Sequence, residues 1–155
     1  MFSSFFHYKL FKYSVKNREL IEFLDMSTMF NNDHPVTGMS VSLNKVALFD
    51  DSKIYIIDIK TRYLEKTIDF VKSVSSTCIN SEHVFIYSDT DNKVYRINIL
   101  SGEIENIVTL DDVTLSKSYF EINEETNFAI LGRLDTSKVL HIIKFDVDGN
   151  EIFSN

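Results

Sequence analysis

Apolar and polar positions repeat with the same layout in four separate stretches of the chain. In each stretch, a short apolar or alternating run is followed by a polar turn and then by a second run, which is the pattern of a strand, a turn and a returning strand. A layout that recurs at a spacing of about 40 residues indicates a chain built from stacked supersecondary units. The four stretches are residues 10–24, 54–68, 94–108 and 142–155.

Each stretch carries an apolar, polar, apolar triplet directly before its turn, and another apolar residue follows at a fixed distance. The turns contain residues such as Asn17, Ser101 and Gly149, which favour the backbone conformations of tight hairpins. Fixed spacing on both sides of a turn specifies the register of the two strands, so the sequence predicts four β-hairpins. The triplets are Tyr13-Ser14-Val15, Ile57-Asp58-Ile59, Ile97-Asn98-Ile99 and Phe145-Asp146-Val147, and the apolar residues that follow them are Leu20, Leu64, Ile104 and Ile152.

A second hairpin precedes three of these four stretches, and an asparagine marks its turn. Another apolar strand follows the asparagine, and a turn containing aspartate then leads into the repeated stretch. Four antiparallel strands that recur every 40 to 50 residues or so form the blade of a β-propeller, so we predict an all-β fold. The asparagine turns are Leu43-Asn44, Ile79-Asn80 and Ile122-Asn123, and the strands that follow are 46–49, 84–87 and 128–131.

Segments 54–62 and 94–102 resemble the inner hairpins of quinoprotein-like or WD-type propeller blades. They read Ile-Tyr-Ile-Ile-Asp-Ile-Lys-Thr-Arg and Val-Tyr-Arg-Ile-Asn-Ile-Leu-Ser-Gly. The chain contains no Trp, so neither the Trp-Asp dipeptide nor the tryptophan docking positions of quinoprotein repeats are present. The resemblance therefore implies the architecture alone, and no cofactor.

The strand pattern predicts one β-repeat domain over residues 1–155, with about three and a half blades. A half blade at 5–24 precedes blades at about 37–70, 75–110 and 115–154. The smallest closed ring has about four blades, and an open arc leaves strand edges that can pair with another chain. We therefore expect a partner, either a second copy or a different protein. Alternatively, residues 1–9 add a short strand and the arc closes as a distorted four-bladed ring or a β-sandwich.

The net charge is −7, from 23 acidic and 16 basic residues, and no cluster of Lys or Arg follows the spacing of a phosphate backbone. This balance argues against a nucleic-acid partner. In a propeller, loops of one type share one rim, so the acids in the turns could form a negative surface that steers a basic partner. Solubility and turn chemistry are the alternative explanation for these acids. The candidate partner-binding acids are Asp50, Asp51, Asp111, Asp112, Glu124 and Glu125.

Aromatic residues are crowded at the start of the chain, next to the predicted half blade. Aromatic side chains on an exposed edge are the residue types that anchor protein interfaces. We therefore predict an association patch formed by Phe5, Phe6 and Tyr8.

The spacing of the cysteine, histidine and acidic residues predicts no catalytic site, no metal site and no cofactor. A lone cysteine, Cys78, cannot form an internal disulfide, which suits a reducing compartment. The N-terminus lacks the pattern of a signal peptide and no apolar run is long enough to span a membrane, so we expect a cytoplasmic protein.

The histidines lack the short spacings of a zinc site. The run 146–150 alternates oxygen ligands like a calcium loop, but its glycine comes too early, so we predict an ordinary turn.

Acidity, size and the absence of catalytic motifs favour a non-catalytic protein-binding module. The most concrete version is a small acidic inhibitor of the immunity-protein type, which covers a basic partner such as a nuclease toxin. A self-associating structural propeller module is the alternative. A propeller enzyme whose active site combines residues from several blades is a third possibility, because sequence spacing does not reveal such a site.

Overall fold

The computed structural model describes residues 9–27, 36–111, 115–123 and 125–154. Within these ranges the chain forms fourteen β-strands and no helix, which confirms the all-β prediction. None of the described residues therefore forms a helix long and apolar enough to cross a membrane. The strands are β1 (Lys9–Ser14), β2 (Glu19–Asp25), β3 (Gly38–Val41), β4 (Lys45–Phe49), β5 (Lys53–Asp58), β6 (Leu64–Asp69), β7 (Ser76–Ile79), β8 (His83–Ser88), β9 (Lys93–Asn98), β10 (Ile104–Thr109), β11 (Leu115–Asn123), β12 (Phe128–Asp135), β13 (Leu140–Asp146) and β14 (Glu151–Ser154).

The strands form four antiparallel sheets that follow one another along the chain. The first sheet contains β1 and β2, and the second, third and fourth contain β3 to β6, β7 to β10 and β11 to β14, each in sequence order. The first strands of neighbouring four-stranded sheets contact each other, β3 with β7 and β7 with β11. These strands therefore line the centre of the arc, and β6, β10 and β14 lie at its outer side. By its place in the repeat, the first sheet is the outer half of a blade.

The predicted hairpins form, and in three of them the register agrees with the repeat. Leu20 pairs with Tyr13 and Leu64 with Ile57, and Ile104 pairs with Ile97. In the fourth sheet, Glu151 instead of Ile152 lies opposite Phe145. This turn is one residue shorter, because Asp146 N–H bonds to the carbonyl of residue 150, whereas the turns of the second and third sheets close between residues 58 and 63 and between 98 and 103. The four apolar residues that follow the triplets are all exposed, because they lie on the outermost strands.

The core lies between neighbouring sheets, in three clusters of buried side chains. We call the face of a sheet that points towards the preceding sheet its leading face, and the opposite one its trailing face. The second and third sheets are covered on both faces, which explains why 46–49 and 84–87 are continuous apolar runs rather than alternating ones. From the first sheet to the fourth, the clusters are centred on Leu10, Phe23, Leu48 and Ile57, on Phe49, Ile54, Ile86 and Ile97, and on Phe85, Phe120, Leu131 and Phe145.

The arc is open in the part of the chain that the structure describes. There, no strand pairs the first sheet with the fourth, and none of the three core clusters joins them. The chain therefore forms about three and a half propeller-type blades, as predicted, and the described strands form neither a closed four-bladed ring nor a β-sandwich. The extra strand predicted at residues 1–9 lies outside the described residues, except for Lys9, which begins β1.

Because neighbouring strands run in opposite directions, the turns separate onto two rims. We call them the asparagine rim and the aspartate rim, after the residues that mark their turns. The asparagine rim contains the turns at 15–18, 42–44, 59–63, 80–82, 99–103, 125–127 and 147–150. The aspartate rim contains the turns at 50–52, 89–92 and 136–139 and the connections at 70–75 and 110–111.

Candidate functional site

Exposed carboxylates gather on the asparagine rim, where the third and fourth sheets end. Turns or strand ends of two sheets contribute these side chains, and none of them belongs to the buried core. Glu82, Glu105 and Asp148 all lie close enough to influence His83, whose pKa is lowered first by burial and then by Arg96, while these three carboxylates oppose that shift. We define the acidic patch as Glu82, Glu103, Glu105, Glu125 and Asp148.

Arg96 organises part of the acidic patch and joins the third sheet to the fourth. Its guanidinium donates to Glu105 Oε2 through Nε at 3.1 Å and through Nη2 at 2.5 Å. Nη1 donates to Asp148 Oδ1 at 2.5 Å and to the carbonyl oxygen of Val147 at 2.8 Å. Two carboxylates of the patch are thereby fixed in place. The ion pairs formed among the described residues include none with Glu82, Glu103 or Glu125, so these three retain their negative charge for a partner.

A glycine lets the fourth sheet approach the third closely beside this ion pair. Gly149 has a φ of +87°, and a Cβ at this position would lie 2.4 Å from the carbonyl oxygen of Ile107. Any other residue would both clash with Ile107 and adopt the left-handed backbone conformation that glycine favours. Gly149 therefore lets the turn that carries Asp148 lie directly against β10, the strand that carries Glu105.

The same rim is basic where the first and second sheets end. Lys16 and Arg18 lie in the turn of the first sheet, and Lys60 and Arg62 lie in the equivalent turn of the second sheet, all exposed. The guanidinium of Arg62 lies 5.2 Å from the centre of the Phe23 ring, which places it on the first sheet. The asparagine rim is therefore basic at one end of the arc and acidic at the other.

The acids predicted from the sequence are divided between the two rims. Asp51 and Asp111 are exposed on the aspartate rim, where lysines such as Lys53 and Lys72 lie between the aspartates. Glu125 is exposed on the opposite rim and belongs to the acidic patch. The other predicted partner-binding residues, Phe5, Phe6, Tyr8, Asp112 and Glu124, lie outside the described residues, and their roles stay predictions.

Asp50 is buried, with 3% of its surface exposed, so it adds no exposed carboxylate to the aspartate rim. Oδ1 accepts hydrogen bonds from the backbone amides of Ser52 and Lys53 at 2.7 and 2.6 Å. Oδ2 accepts one from the Tyr55 hydroxyl at 2.8 Å. Burial opposes ionisation of Asp50, but these bonds outweigh it and lower the pKa of the carboxyl. Burial and then Asp50 raise the pKa of Tyr55 to about 12. Asp50 is therefore a structural residue of its turn.

The trailing face of the fourth sheet is apolar and exposed. Tyr119 is 62% exposed, and Ile130 and Leu140 are each 49% exposed. Together with Gly132 and Ile142, they line a groove of about 320 Å³. Isolated apolar residues on a surface are ordinary, but contiguous ones mark interaction sites. The sequence indicates this face, because β11, β12 and β13 contain consecutive apolar residues. Neighbouring residues of a strand point to opposite faces of the sheet, so such pairs place apolar side chains on both faces.

A polar cavity of about 360 Å³ lies between the third and fourth sheets, lined by residues that include Arg133, Thr109 and His141. Arg133 is only 4% exposed. Its Nη1 donates to the carbonyl oxygen of Asp111 at 3.0 Å, and its Nε has no hydrogen-bond partner in the described part of the chain. This buried charge is incompletely satisfied, and burying such a group costs stability.

The remaining reactive groups are held in structural roles. Cys78 is buried, and burial, followed by the nearby charge of Glu121, raises the pKa of its thiol well above the usual value. Asp146 accepts hydrogen bonds from the backbone amides of Asp148 and Asn150, each at 2.9 Å, and from the Asn150 side chain. The run 146–150 is therefore a turn closed by its own aspartate. The described residues contain no group of three or more His, Cys, Asp or Glu that could hold a metal ion.

Solved structures share this arrangement of sheets. Apo AztD from Citrobacter koseri aligns with a TM-score of 0.60 and 14% identity, over 94% of this chain and 41% of that one. The WD40 domain of Toxoplasma gondii coronin aligns with a TM-score of 0.54 and 5% identity, over 79% of this chain and 33% of that one. Hydrazine synthase from Kuenenia stuttgartiensis aligns with a TM-score of 0.58 and 9% identity, over 81% of this chain and 37% of that one.

These comparisons confirm the resemblance to propeller-type repeat proteins at the level of the fold. Identities this low carry no function from one protein to another. The chain spans between 33% and 41% of the length of these solved structures. No family model and no curated protein matches the sequence.

Proposed function

We propose that this chain is a non-catalytic protein-binding module whose acidic patch contacts a basic protein. The observation that carries this proposal is the gathering of Glu82, Glu103 and Glu125 on one half of the asparagine rim, with no cation paired to them in the described chain. In its most concrete form, the module is a small acidic inhibitor of the immunity-protein type that covers the active site of a cationic nuclease toxin. The cytoplasm is its proposed location, since Cys78 is a free thiol.

The position of the patch suits recognition by charge. Its carboxylates lie on turns and a strand end that are fixed by a packed core, and Arg96 binds both Glu105 and Asp148. Charges arranged in this way steer a partner of opposite sign and suppress binding to partners of the same sign. A cationic surface, such as the substrate-binding cleft of a nuclease, is complementary to it.

A non-catalytic role agrees with the state of the reactive groups. The raised pKa of Cys78 keeps its thiol protonated and buried, whereas a nucleophilic cysteine needs a thiolate that is accessible. Asp50 and Asp146 are both engaged by hydrogen bonds within their own turns. These residues are therefore occupied in stabilising the sheets.

The proposal is tested by calorimetric titration of the chain with small cationic nucleases, at low and at high salt. We expect binding that weakens strongly with salt. The triple substitution Glu82→Gln, Glu103→Gln and Glu125→Gln is expected to lower affinity about tenfold or more, because rim charges act mainly through long-range attraction. A matched control with the same change in net charge is Asp51→Asn, Asp69→Asn and Asp89→Asn on the aspartate rim. Equal losses in the two variants, or binding that salt does not affect, would contradict the assignment of the patch.

A further inference from the structure

Three of the four sheets have a trailing face built at equivalent positions, and in the described part of the chain the face of the fourth sheet alone has no other sheet packed on it. Phe85 in the third sheet pairs with Cys78, and Ile130 in the fourth pairs with Glu121 in the same place. Phe85 is completely buried against the next sheet. Ile130 occupies the equivalent site and faces open space. The chain thus presents, at the end of its arc, a surface of the kind that it buries elsewhere.

The uncovered face differs from the buried ones in the placement of its large side chain. In the second and third sheets, a small residue on the innermost strand pairs with an aromatic one, Gly38 with Phe49 and Ser76 with Tyr87. In the fourth sheet this order is reversed, because Tyr119 on β11 pairs with Gly132 on β12. The result is a projecting ring beside a hollow. A Cβ on Gly132 would meet nothing nearer than Leu140 Cδ1, at 3.7 Å, so the hollow has room for a side chain from outside.

Opposite charges flank the centre of this face in one row across the sheet. Glu121 on β11 pairs with Ile130 on β12, and Ile130 pairs with Lys144 on β13. The row therefore reads acid, apolar, base. The Lys144 amine lies 4.4 Å from the centre of the Phe128 ring, which keeps the cation at the face.

We propose that a second copy of this chain packs on the trailing face of the fourth sheet, about a two-fold axis that runs along β12. Such an axis places β11 of one copy opposite β13 of the other. Each Glu121 then meets Lys144 of the second copy, and the two Ile130 side chains meet at the centre. Tyr119 of each copy meets Ile142 of the other, beside the hollow at Gly132. The face is therefore complementary to itself in charge, as a two-fold interface requires.

The third sheet shows how a charge at this position is used when the face is covered. Arg96 occupies the same place on β9 as Lys144 does on β13, and it binds Asp148 and the carbonyl oxygen of Val147 in the following sheet. Lys144 can form equivalent contacts with a carboxylate and a carbonyl oxygen only when another chain lies on the trailing face of the fourth sheet. This inference is independent of the acidic patch, because none of the patch residues belongs to the trailing face of the fourth sheet.

Sedimentation equilibrium over a range of protein concentrations tests the proposal. The wild-type chain is expected to show a reversible equilibrium between one chain and two. Ile130→Asp is expected to shift the dissociation constant at least tenfold towards the single chain, because it places charge at the centre of the interface. Ile104→Asp is the matched control, because Ile104 is similarly exposed but lies on the outer strand of the third sheet. Circular dichroism verifies that both variants are folded.

Exchange of the flanking charges distinguishes a second copy from any other occupant. Glu121→Lys and Lys144→Glu should each weaken association, since each homodimer then brings like charges together twice. An equimolar mixture of the two variants should associate again, because the two-fold arrangement pairs opposite charges at both contacts. A chain that stays single at every concentration would overturn the proposal. Association that survives Ile130→Asp would also overturn it, and so would a mixture that associates no better than the separate variants. Either of these two results would show that a different surface or a different occupant forms the contact.

Discussion

The trailing faces of the third and fourth sheets have the same strand positions but different surroundings. In the third sheet, Phe85, Tyr87 and Val94 are buried against the next sheet. In the fourth, Ile130 is exposed at the place that corresponds to Phe85. The comparison teaches that a repeat in the sequence defines which side chains point towards a neighbouring sheet, while the folded arrangement shows whether a neighbouring sheet covers them. Equivalent residues therefore differ in their contribution to stability and in their availability for binding.

Truncation of the large side chains at these two places gives the largest expected difference. Phe85→Ala should lower the free energy of unfolding by about 3–5 kcal/mol, because it opens a cavity next to the Phe120 ring, whose centre lies 6.4 Å from that of Phe85. Ile130→Ala should change it by only about 0.5 kcal/mol, as for other surface substitutions. Urea unfolding at a concentration where the chain is single measures both. Equal losses would show that the two faces are equally covered.

A second contrast uses one glycine at the covered boundary and one on the uncovered face. Gly149→Ala should destabilise the fold by more than about 1 kcal/mol, because Gly149 has a positive φ and a Cβ would clash with the carbonyl oxygen of Ile107. Gly132→Ala should be nearly neutral in the single chain, since its Cβ would make only ordinary contacts. Thermal unfolding of the two variants compares them. A loss at Gly132 as large as that at Gly149 would contradict the open face.

The equivalent cations on β9 and β13 provide a smaller contrast. Arg96→Met should cost about 1–2 kcal/mol, because it removes hydrogen bonds between charged groups at the boundary of the third and fourth sheets. Lys144→Met should cost about 0.5 kcal/mol or less, since a partly exposed cation over an aromatic ring contributes little. High salt should reduce the Arg96 effect only in part, because that side chain is mostly buried. An Arg96 variant as stable as the wild type would show that this ion pair does not join the sheets.

The smallest expected difference in stability is between two buried charged residues near the ends of equivalent strands. Asp50 directly follows β4 in the second sheet, and Arg133 lies near the end of β12 in the fourth. Asp50→Asn should cost about 1 kcal/mol at neutral pH. Folding lowers the pKa of Asp50 below its usual value near 3.8. The contribution of the Asp50 carboxylate to the free energy of unfolding is therefore present above that pH and is lost as the pH falls through the lowered pKa. The difference between wild type and Asp50→Asn should therefore shrink on acidification.

Arg133→Met is the matched variant for the fourth sheet. It should leave stability unchanged or raise it, because an incompletely satisfied buried charge is replaced by an apolar side chain of similar length. Acid unfolding curves of the two variants compare the positions. A stability difference for Asp50→Asn that does not vary with pH, or a large loss for Arg133→Met, would contradict these roles.

The sheets were predictable from sequence because strand and turn patterns are local. The triplets before each turn place Tyr13, Ile57 and Ile97 opposite the expected residues. In the fourth sheet the register differs by one residue, since its turn is shorter. From sequence, an aspartate in a turn is expected to be exposed. Asp50 is buried because the Tyr55 hydroxyl of the next strand donates a hydrogen bond to it, and this contact is not evident from the turn sequence. The acidic patch combines turns from two sheets, and the uncovered face follows from the end of the arc, so neither could be located from sequence spacing alone.

Thiol labelling at the equivalent positions Cys78 and Glu121 tests the central claim most directly. Cys78 pairs with Phe85 on the trailing face of the third sheet, and Glu121 pairs with Ile130 on that of the fourth. In dilute solution, the native Cys78 thiol should react only as fast as the chain unfolds. The thiol introduced by Glu121→Cys in a Cys78→Ser background should react at the rate of a free cysteine. Rapid labelling of Cys78, or protection at position 121 at every protein concentration, would contradict the claim that the trailing face of the third sheet is covered by a neighbouring sheet and that of the fourth is exposed.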